Sequence, residues 1–358
     1  MNTKKILLIG PLSPPITGNS LANDIVIKGL TNNKSVEIDY INTQFEVFKN
    51  DLGKITINKI FFFLKKFLKL YKIFGKDIIY ITPGQTFYGV IKYAPFIYLA
   101  KLLNKQVIIH IHGNYLRKQY DLLSGIKKKI FLKTLAKVDK GIVLSKSLRD
   151  NLTLFLPSNH IYVVPNFVED YLRPSKFKTK KSEFLKIIFL SNLMNEKGVL
   201  DVLKALISLK KKNIKFNAKF AGNIEENLKY ILTTFFNTEE ISYLGTVTGQ
   251  QKKELLEWSN VFILPTYYKM EGVPISILEA MANGNIIITT KHAGIPDIIS
   301  DRNGFFVKSK LPEEIVEKLI YIESNLENLG KIRLNNINDS KKYTEKRFVD
   351  SLLKIFTN

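Results

Sequence analysis

Residues 271–284 read Glu271-Gly-Val-Pro-Ile-Ser-Ile-Leu-Glu279-Ala-Met-Ala-Asn-Gly284, with two carboxylates around a Gly/Pro turn and a predicted helix start. An apolar strand is predicted before this stretch, at 261–264, and another after it, at 285–290. The stretch should therefore lie where a strand passes into a helix, the usual ligand crevice of an open α/β sheet. A helix N-terminus favours a diphosphate, and carboxylates accept hydrogen bonds from sugar hydroxyls. The pattern is suited to a nucleotide sugar.

The same residues admit a purely structural interpretation. Ser276 and Glu279 also fit a capping box, Ser-x-x-Glu, which closes a helix N-terminus without any ligand. Glu271 lies outside that box, so the cap does not explain it. For the pair Ser276 and Glu279 both interpretations stay open.

Short apolar strands alternate with helices in two successive series. The first series is predicted at 5–9, 36–41, 77–81, 106–111, 141–144 and 161–164, and the second at 185–190, 215–221, 241–243, 261–264, 286–289 and 305–307. Two such series in 358 residues predict two doubly wound α/β domains facing across a cleft. We expect an N-terminal domain at 1–167, a C-terminal domain at 168–340 and a helix at 341–358 that crosses back to the first domain. The junction, 166–185, has the polar and proline-containing composition of a linker.

Several motifs together resemble those of the family 4 retaining glycosyltransferases, which have the GT-B fold. Residues 271–279 resemble the E-x7-E signature of that family. Other segments match in the family's order: Pro14-Pro-Ile-Thr-Gly18-Asn19, Ile109-His-Ile-His112-Gly113, Val164-Pro-Asn166, Phe189-Leu-Ser-Asn192-Leu193, Glu196-Lys197-Gly198, Gly294-Ile-Pro-Asp297 and Asn303-Gly304. The match covers roughly residues 5 to 310. It implies the two Rossmann-like domains of GT-B and sugar transfer with retention of anomeric configuration.

The resemblance also assigns roles to residues of the C-terminal domain. Glu271 should hold hydroxyls of the donor sugar, Glu279 the ribose hydroxyls, and Lys197 the diphosphate; the alternative for Lys197 is an ordinary surface lysine. The family usually has arginine where Asn192 stands here, so one expected cation is missing. Asn192 itself is a donor-binding candidate, and the remaining ones are Gly272, Val273, Pro274, Ile275, Asn223, Thr246 and Val247.

In the N-terminal domain, His112 is implied near the transferred sugar, and we take it with Glu271 and Lys197 as the catalytic candidates. Either His112 or His110 could instead be a core histidine. Gly18 and Asn19 are implied at the donor phosphates, where a residue without Cβ lets backbone approach closely; the alternative is a simple turn.

No cofactor or metal is expected. The chain has no cysteine, so no thiolate metal site is predicted. It also has no D-x-D triplet, the motif by which the other major glycosyltransferase fold binds the donor diphosphate through a metal ion. No G-x-G-x-x-G follows a predicted strand, which disfavours a dinucleotide oxidoreductase.

The net charge of +22 is concentrated in part in one stretch, 54–76, which carries seven lysines and no acid. We predict a basic amphipathic helix there that faces an anionic membrane. The alternatives are a helix that packs on its own domain, and a lysine-rich composition without function. No nucleic-acid-binding motif is found, so nucleic acid is not an expected partner. The membrane-facing candidates are Lys65, Lys66, Lys69, Lys72, Phe63 and Phe67.

We therefore expect a glycosyltransferase of the hexosyltransferase class that uses a UDP-sugar donor. Its acceptor would be a glycan or a polyprenyl-diphosphate-linked sugar of cell-surface polysaccharide, such as capsule or lipopolysaccharide. The enzyme would be cytoplasmic and peripheral on the inner face of the plasma membrane. The alternatives are a soluble GT-B enzyme with a small-molecule or protein acceptor, and a non-catalytic basic protein that binds membrane or nucleic acid.

Overall fold

The computed structural model describes residues 3–31, 33–45, 57–174, 184–236 and 238–357. The chain divides into two compact units. Unit 1 comprises Met1–Asn166 together with Glu345–Asn358, and unit 2 comprises Phe167–Thr344. The residues 46–56 and 175–183 lie outside the description, and with them Lys54 and most of the predicted junction.

Unit 1 is built on a six-stranded parallel sheet with the order β2-β1-β3-β4-β5-β6. Its central strands are runs of isoleucine, leucine and valine that are buried on both faces, as parallel strands covered by helices must be. The strands are β1 Lys4–Gly10, β2 Val36–Asn42, β3 Ile78–Ile81, β4 Gln106–Ile111, β5 Lys140–Val143 and β6 Ile161–Val163.

The helices of unit 1 cover this sheet. They are α1 Gly18–Thr31, α2 Ile57–Phe67, α3 Phe87–Ile91, α4 Ala94–Leu102, α5 Leu116–Leu122, α6 Gly125–Leu135 and, from the end of the chain, α13 Glu345–Thr357. The last helix packs on α1, where an added Cβ at Gly29 would stand only 2.6 Å from a methyl group of Val349. Its buried side chains are Phe348, Val349, Leu352, Ile355 and Phe356.

Unit 2 repeats the architecture with the strand order β12-β11-β10-β7-β8-β9, again all parallel. Its strands are β7 Leu185–Leu190, β8 Phe216–Ala221, β9 Ile241–Tyr243, β10 Val261–Leu264, β11 Ile286–Thr289 and β12 Gly304–Phe306. Its helices are α7 Val199–Lys211, α8 Lys229–Phe235, α9 Gly249–Trp258, α10 Ile275–Ala282, α11 Pro312–Ser324 and α12 Gly330–Ser340.

The predicted strands are all present, each within one or two residues of its expected bounds, and the prediction of two parallel α/β sheets is confirmed. One helix prediction needs correction. The stretch expected to be helical through residue 76 ends as an α-helix at Phe67 and continues as a 3-10 turn at Leu70–Ile73. No helix among the described residues is long and apolar enough to cross a membrane.

Candidate active site

The N-terminus of α10 lies in unit 2, after the carboxyl end of β10. One signature carboxylate, Glu271, precedes the helix, and the other, Glu279, lies within it. Pro274 is its N-cap residue, and no side chain caps the helix. The capping-box interpretation of Ser276 and Glu279 is therefore wrong: Ser276 already lies in the first turn, and Glu279 bonds a lysine instead. No side chain of the described residues caps this helix end, and an uncapped helix N-terminus favours an anion.

Glu271, before this helix end, is held by two side chains of unit 2. Its Oε2 lies 2.6 Å from the Lys197 ammonium and accepts a hydrogen bond from the Thr266 hydroxyl at 3.0 Å. Both charged side chains are largely buried, with 13% of Lys197 and 8% of Glu271 exposed. The ammonium also lies 5.0 Å above the ring of Tyr268. Burial, followed by the nearby charges of Glu271 and Glu196, raises the pKa of the Tyr268 hydroxyl to about 12.

The 3-10 turn Asn195–Lys197 positions the Lys197 side chain next to Glu271. Gly198 follows with a φ of +81°, and a Cβ there would stand 2.6 Å from the ring of Pro265 and 2.7 Å from its carbonyl oxygen. Only glycine fits this position without strain. The Glu196 carbonyl accepts a hydrogen bond from the N–H of Tyr267 at 2.8 Å. The lysine-bearing turn is thereby fixed against the loop after β10.

Glu279 has a lysine partner of its own, which the sequence analysis missed. Its Oε1 lies 2.5 Å from the Lys252 ammonium, and Glu169 contributes a second carboxylate 3.5 Å from that ammonium. Only 1% of the Glu279 side chain and 14% of Lys252 are exposed. Desolvation lowers the pKa of Lys252, but the charges of Glu279 and Glu169 and the hydrogen bond outweigh it, and the pKa is raised.

A signal for Lys252 exists in the sequence, although it is weak. Lys252 stands three and four residues before Leu255 and Leu256, the buried residues of α9. Helical spacing therefore puts this lysine on the inner face of α9, where a lysine requires a partner. In a chain with 54 lysines and arginines, charge alone does not single it out.

The donor-binding candidates Asn223, Thr246 and Val247 form a separate group at the ends of β8 and β9. The Thr246 hydroxyl donates to Asn223 Oδ1 at 2.9 Å, while Val247 is buried next to it. The backbone is tight here, because Gly222 has a φ of +139° and a Cβ there would stand 1.9 Å from the Ser191 carbonyl oxygen. The structure thus brings Asn223 and Thr246 together, and it sets the segment of Asn192 directly against Gly222.

In unit 1 the two neighbouring histidines differ in their partners. His110 is fully buried and its Nδ1 lies 2.7 Å from the Tyr80 hydroxyl, so it is a core histidine. The ring of His112 lies 4.1 Å from that of His110, and both of its nitrogens are buried without a hydrogen-bond partner in the described part of the chain. Desolvation lowers the pKa of His112 to about 4. His112 is therefore a neutral imidazole near pH 7.

The loop after β1 leads directly into α1, which begins at Gly18. Thr17 and Ser20 cap this helix reciprocally: the Ser20 N–H donates to the Thr17 hydroxyl at 3.1 Å, and the Thr17 N–H donates to the Ser20 hydroxyl at 2.8 Å. Asn19 donates to the Thr82 carbonyl at 3.4 Å, and its own Oδ1 has no partner among the described residues. Gly18 and Asn19 thus form the first turn of a capped helix.

The aromatic residues expected to face a membrane make contacts within unit 1. Phe63 lies under the Lys92 ammonium, 4.5 Å from its ring centre, and Phe67 packs on Phe96 at 5.9 Å, so both face the rest of unit 1. Lys72 pairs with Asp39 at 2.9 Å, and Lys66 lies 4.5 Å over the ring of Phe62. The exposed side chains of this segment are Phe61, Leu64, Lys65, Leu68, Lys69, Tyr71 and Phe74.

Comparisons with known proteins agree on the class of this chain. Residues 173–339 match the profile of the glycosyl transferases group 1 family. An uncharacterized glycosyltransferase of Methanocaldococcus jannaschii is 28% identical over 318 residues, which is 82% of this chain and 78% of the relative. The N,N'-diacetylbacillosaminyl-diphospho-undecaprenol α-1,3-N-acetylgalactosaminyltransferase of Campylobacter jejuni is 26% identical over 63% of this chain and 57% of that protein.

Among solved structures, the complex of Anabaena HepE with UDP-glucose superposes with a TM-score of 0.73. The superposition covers 99% of both chains at 13% sequence identity, so it bears on the fold alone. It fits the two parallel sheets of units 1 and 2 and confirms the predicted two-domain Rossmann-like architecture. With a match to the glycosyl transferases group 1 profile at residues 173–339 and a relative named as a glycosyltransferase along most of its length, the protein is a glycosyltransferase with the GT-B fold.

Proposed function

We propose that this glycosyltransferase moves a sugar from a UDP-sugar to a lipid-linked or glycan acceptor of a cell-surface polysaccharide, with retention of configuration. The observation that carries the donor assignment is the pair of buried lysine–carboxylate contacts, Lys197–Glu271 and Lys252–Glu279, next to the uncapped start of α10. Burying charged groups costs free energy even when they are paired, and buried charged groups of this kind are concentrated at functional sites.

The donor fits these groups by their chemistry. The diphosphate would lie at the N-terminus of α10 and accept from Lys197, which has two more N–H donors after its contact with Glu271. Glu271 would accept from hydroxyls of the sugar, and Glu279 would use Oε2, the oxygen that Lys252 does not bond, for the ribose hydroxyls. Pro274 has no N–H, so Gly272, Val273 and Ile275 would supply the backbone donors.

We propose a same-face transfer. The bond between the sugar C1 and the phosphate oxygen breaks, and UDP leaves with the electron pair. The acceptor hydroxyl oxygen bonds C1 on the same face, and its proton passes to the departing phosphate. Lys197 and the helix N-terminus stabilise the charge that develops on that phosphate, which is an electrostatic contribution fixed in advance. His112, neutral and with unpartnered nitrogens, is proposed to contact the transferred sugar.

The relatives support the choice of donor and acceptor. HepE binds UDP-glucose in its solved complex, and the Campylobacter relative is named for a sugar on diphospho-undecaprenol. An acceptor on such a lipid would place the enzyme at the cytoplasmic membrane face. The exposed side chains Phe61, Leu64, Lys65, Leu68 and Lys69 of α2 and the turn after it are suited to that surface.

Ligand binding by the purified protein tests the donor assignment. The melting temperature and calorimetric affinity would be measured with UDP-, GDP-, ADP- and dTDP-sugars. We expect UDP-sugars alone to stabilise the wild type, and Glu279→Ala and Lys197→Met to lose that stabilisation. Glu240→Ala is the matched control, because Glu240 also pairs with a lysine, Lys210, but at an exposed position. Absence of any response to the four nucleotide classes would overturn the proposal.

A further inference from the structure

We infer that α6 is a second contact of unit 1 with an anionic lipid bilayer, beside the surface around α2. The inference rests on the proposed function, in which the enzyme works at a membrane. Three large apolar side chains, Leu122, Ile126 and Ile130, are 64%, 74% and 41% exposed. Ile126 and Ile130 are four residues apart within α6, so they form one stripe, which we call the α6 stripe. Leu122 ends α5 and is separated from α6 by the extended residues Leu123 and Ser124.

The α6 stripe is not the side by which this helix packs. The buried residues of α6 are Phe131, Thr134 and Leu135, on another face. The helix therefore has an inner apolar face that packs in unit 1 and an outer apolar stripe that is exposed. Exposed lysines accompany the stripe: Lys127, Lys129 and Lys133. An amphipathic helix with aliphatic and lysine side chains on its outer surface is suited to the headgroup region of a membrane.

The charge of the surrounding chain favours an anionic surface. Residues 52–138 contain seventeen lysines and arginines but only two acids, Asp77 and Asp121. Neither acid is free: Asp77 accepts from the backbone of Lys5 at 2.8 Å, and Asp121 pairs with Arg117 at 3.2 Å. Most of the net charge of +22 thus falls in the segment that contains α2 and α6. Each basic residue near an anionic leaflet adds to the electrostatic attraction.

Helix α3 contacts both α2 and α6, so these helices are close neighbours in unit 1. Lys92, the residue after α3, lies 4.5 Å over the ring of Phe63 in α2. Phe87, at the start of α3, lies 6.0 Å from the Lys127 ammonium of α6. The exposed aliphatic residues distinguish a bilayer from nucleic acid, which would attract the lysines but gain little from the isoleucines. Two separate contacts also give stable binding where a single one is marginal.

Vesicle partitioning of the full-length protein tests the inference. The probes are vesicles of phosphatidylcholine with about 30% phosphatidylglycerol, a fraction chosen to approximate an anionic leaflet, and vesicles of phosphatidylcholine alone. We expect the double variant Ile126→Asn/Ile130→Asn to partition onto the anionic vesicles at least about tenfold more weakly than wild type, since it removes the apolar surface that the two isoleucines would bury in the bilayer. The control is Tyr230→Asn/Ile231→Asn, which changes two exposed residues of α8 in unit 2 and should bind like wild type.

Parallel measurements separate this inference from the proposed donor binding and membrane association on which it rests. UDP-sugar binding by the α6 variant should equal that of wild type, which shows that the variant folds. The inference is overturned if the α6 variant partitions normally while Phe61→Asn/Leu64→Asn loses binding; the membrane proposal would then stand on α2 alone. It is also overturned if wild type binds a single-stranded DNA oligonucleotide but no vesicle, whatever the donor binding shows.

Discussion

At the scale of single residues, unit 2 uses lysines to hold its two signature carboxylates. Glu271 and Glu279 are separated by eight residues in the sequence, and each contacts a lysine that is distant along the chain, Lys197 or Lys252. A buried carboxylate needs such a partner, because desolvation without one costs several kcal/mol. Asn192 stands where the resemblance leads one to expect an arginine, and the cations that pair with the two carboxylates are Lys197 and Lys252.

Removing the cation beside Glu279 should destabilise unit 2. We expect Lys252→Met to lower the free energy of unfolding by about 3–5 kcal/mol, because it leaves a buried carboxylate unpaired, and to weaken UDP-sugar binding. Lys252→Arg keeps the charge and should lose much less of both. Urea denaturation followed by circular dichroism, together with calorimetric binding, measures the two effects. Equal stability of Lys252→Met and wild type would show that the contact with Glu279 is not needed.

The histidine pair should make stability depend on pH in the acid range. The pKa of His112 is about 4 in the folded chain and 6.5 when unperturbed, and burial lowers the pKa of His110 as well. Between these values the unfolded chain binds protons that the folded chain does not. Stability contributed by neutral His112 is therefore complete above about pH 6.5 and is lost as the pH falls toward 4, by up to about 1.4 kcal/mol per pH unit.

Denaturation series at pH 7, 6, 5 and 4.5 would measure this dependence. We expect His112→Gln to show a shallower loss of stability than wild type, because one of the two protonations is removed. His160→Gln changes an exposed histidine and should retain the wild-type slope. Identical slopes for the two variants would contradict the assignment.

At the scale of elements, the turn before α7 decides where Lys197 lies. Gly198 has a φ of +81° and stands against Pro265, so the 3-10 turn Asn195–Lys197 can meet the helix only with glycine at the joint. We expect Gly198→Ala to weaken UDP-sugar binding and to lower the free energy of unfolding by about 1–3 kcal/mol, the cost of a strained backbone position. Gly330→Ala is the control, because nothing lies within 4 Å of an added Cβ there. Thermal unfolding and ligand titration of both variants would compare them.

The segment around α2 shows how tertiary contacts change a helix. The periodicity of its phenylalanines and lysines predicted one helix through residue 76, but the α-helix ends at Phe67. Ile73 is fully buried, and Lys72 and Lys76 reach Asp39 of β2 at 2.9 and 3.7 Å. These contacts with the sheet accompany the tighter 3-10 turn that stands in place of another α-helical turn.

At the scale of the whole molecule, the end of the chain belongs to the unit that its beginning forms. Helix α13 buries Phe348, Leu352 and Phe356 in unit 1, and the Phe356 ring lies 5.2 Å from that of Tyr80 in β3. Unit 2 is continuous in sequence and contains every donor-binding candidate except Gly18 and Asn19. The stability of unit 1 therefore depends on the last fourteen residues.

Truncation after Thr344 should destabilise unit 1 selectively. Burial of large apolar side chains contributes about 1.5–3 kcal/mol each, so loss of α13 should remove a large part of the stability of that unit. Hydrogen exchange with mass spectrometry should show rapid exchange in β1 and β3 and retained protection in β7 and β10. Equal loss of protection in both units, or none in unit 1, would contradict the division.

The amino-acid sequence by itself determined the two series of strands. Buried parallel strands are short runs of β-branched and other apolar residues, and such runs can be recognised from local composition alone. It also singled out Glu271, Glu279 and Lys197, since a recognisable motif contains them. Only the tertiary structure decided that Lys252 is the partner of Glu279, that Pro274 rather than Ser276 begins α10, and that Phe63 and Phe67 face inward. The physical reason is that a pairing partner or a buried face depends on distant segments that meet in space, and local periodicity carries no record of them.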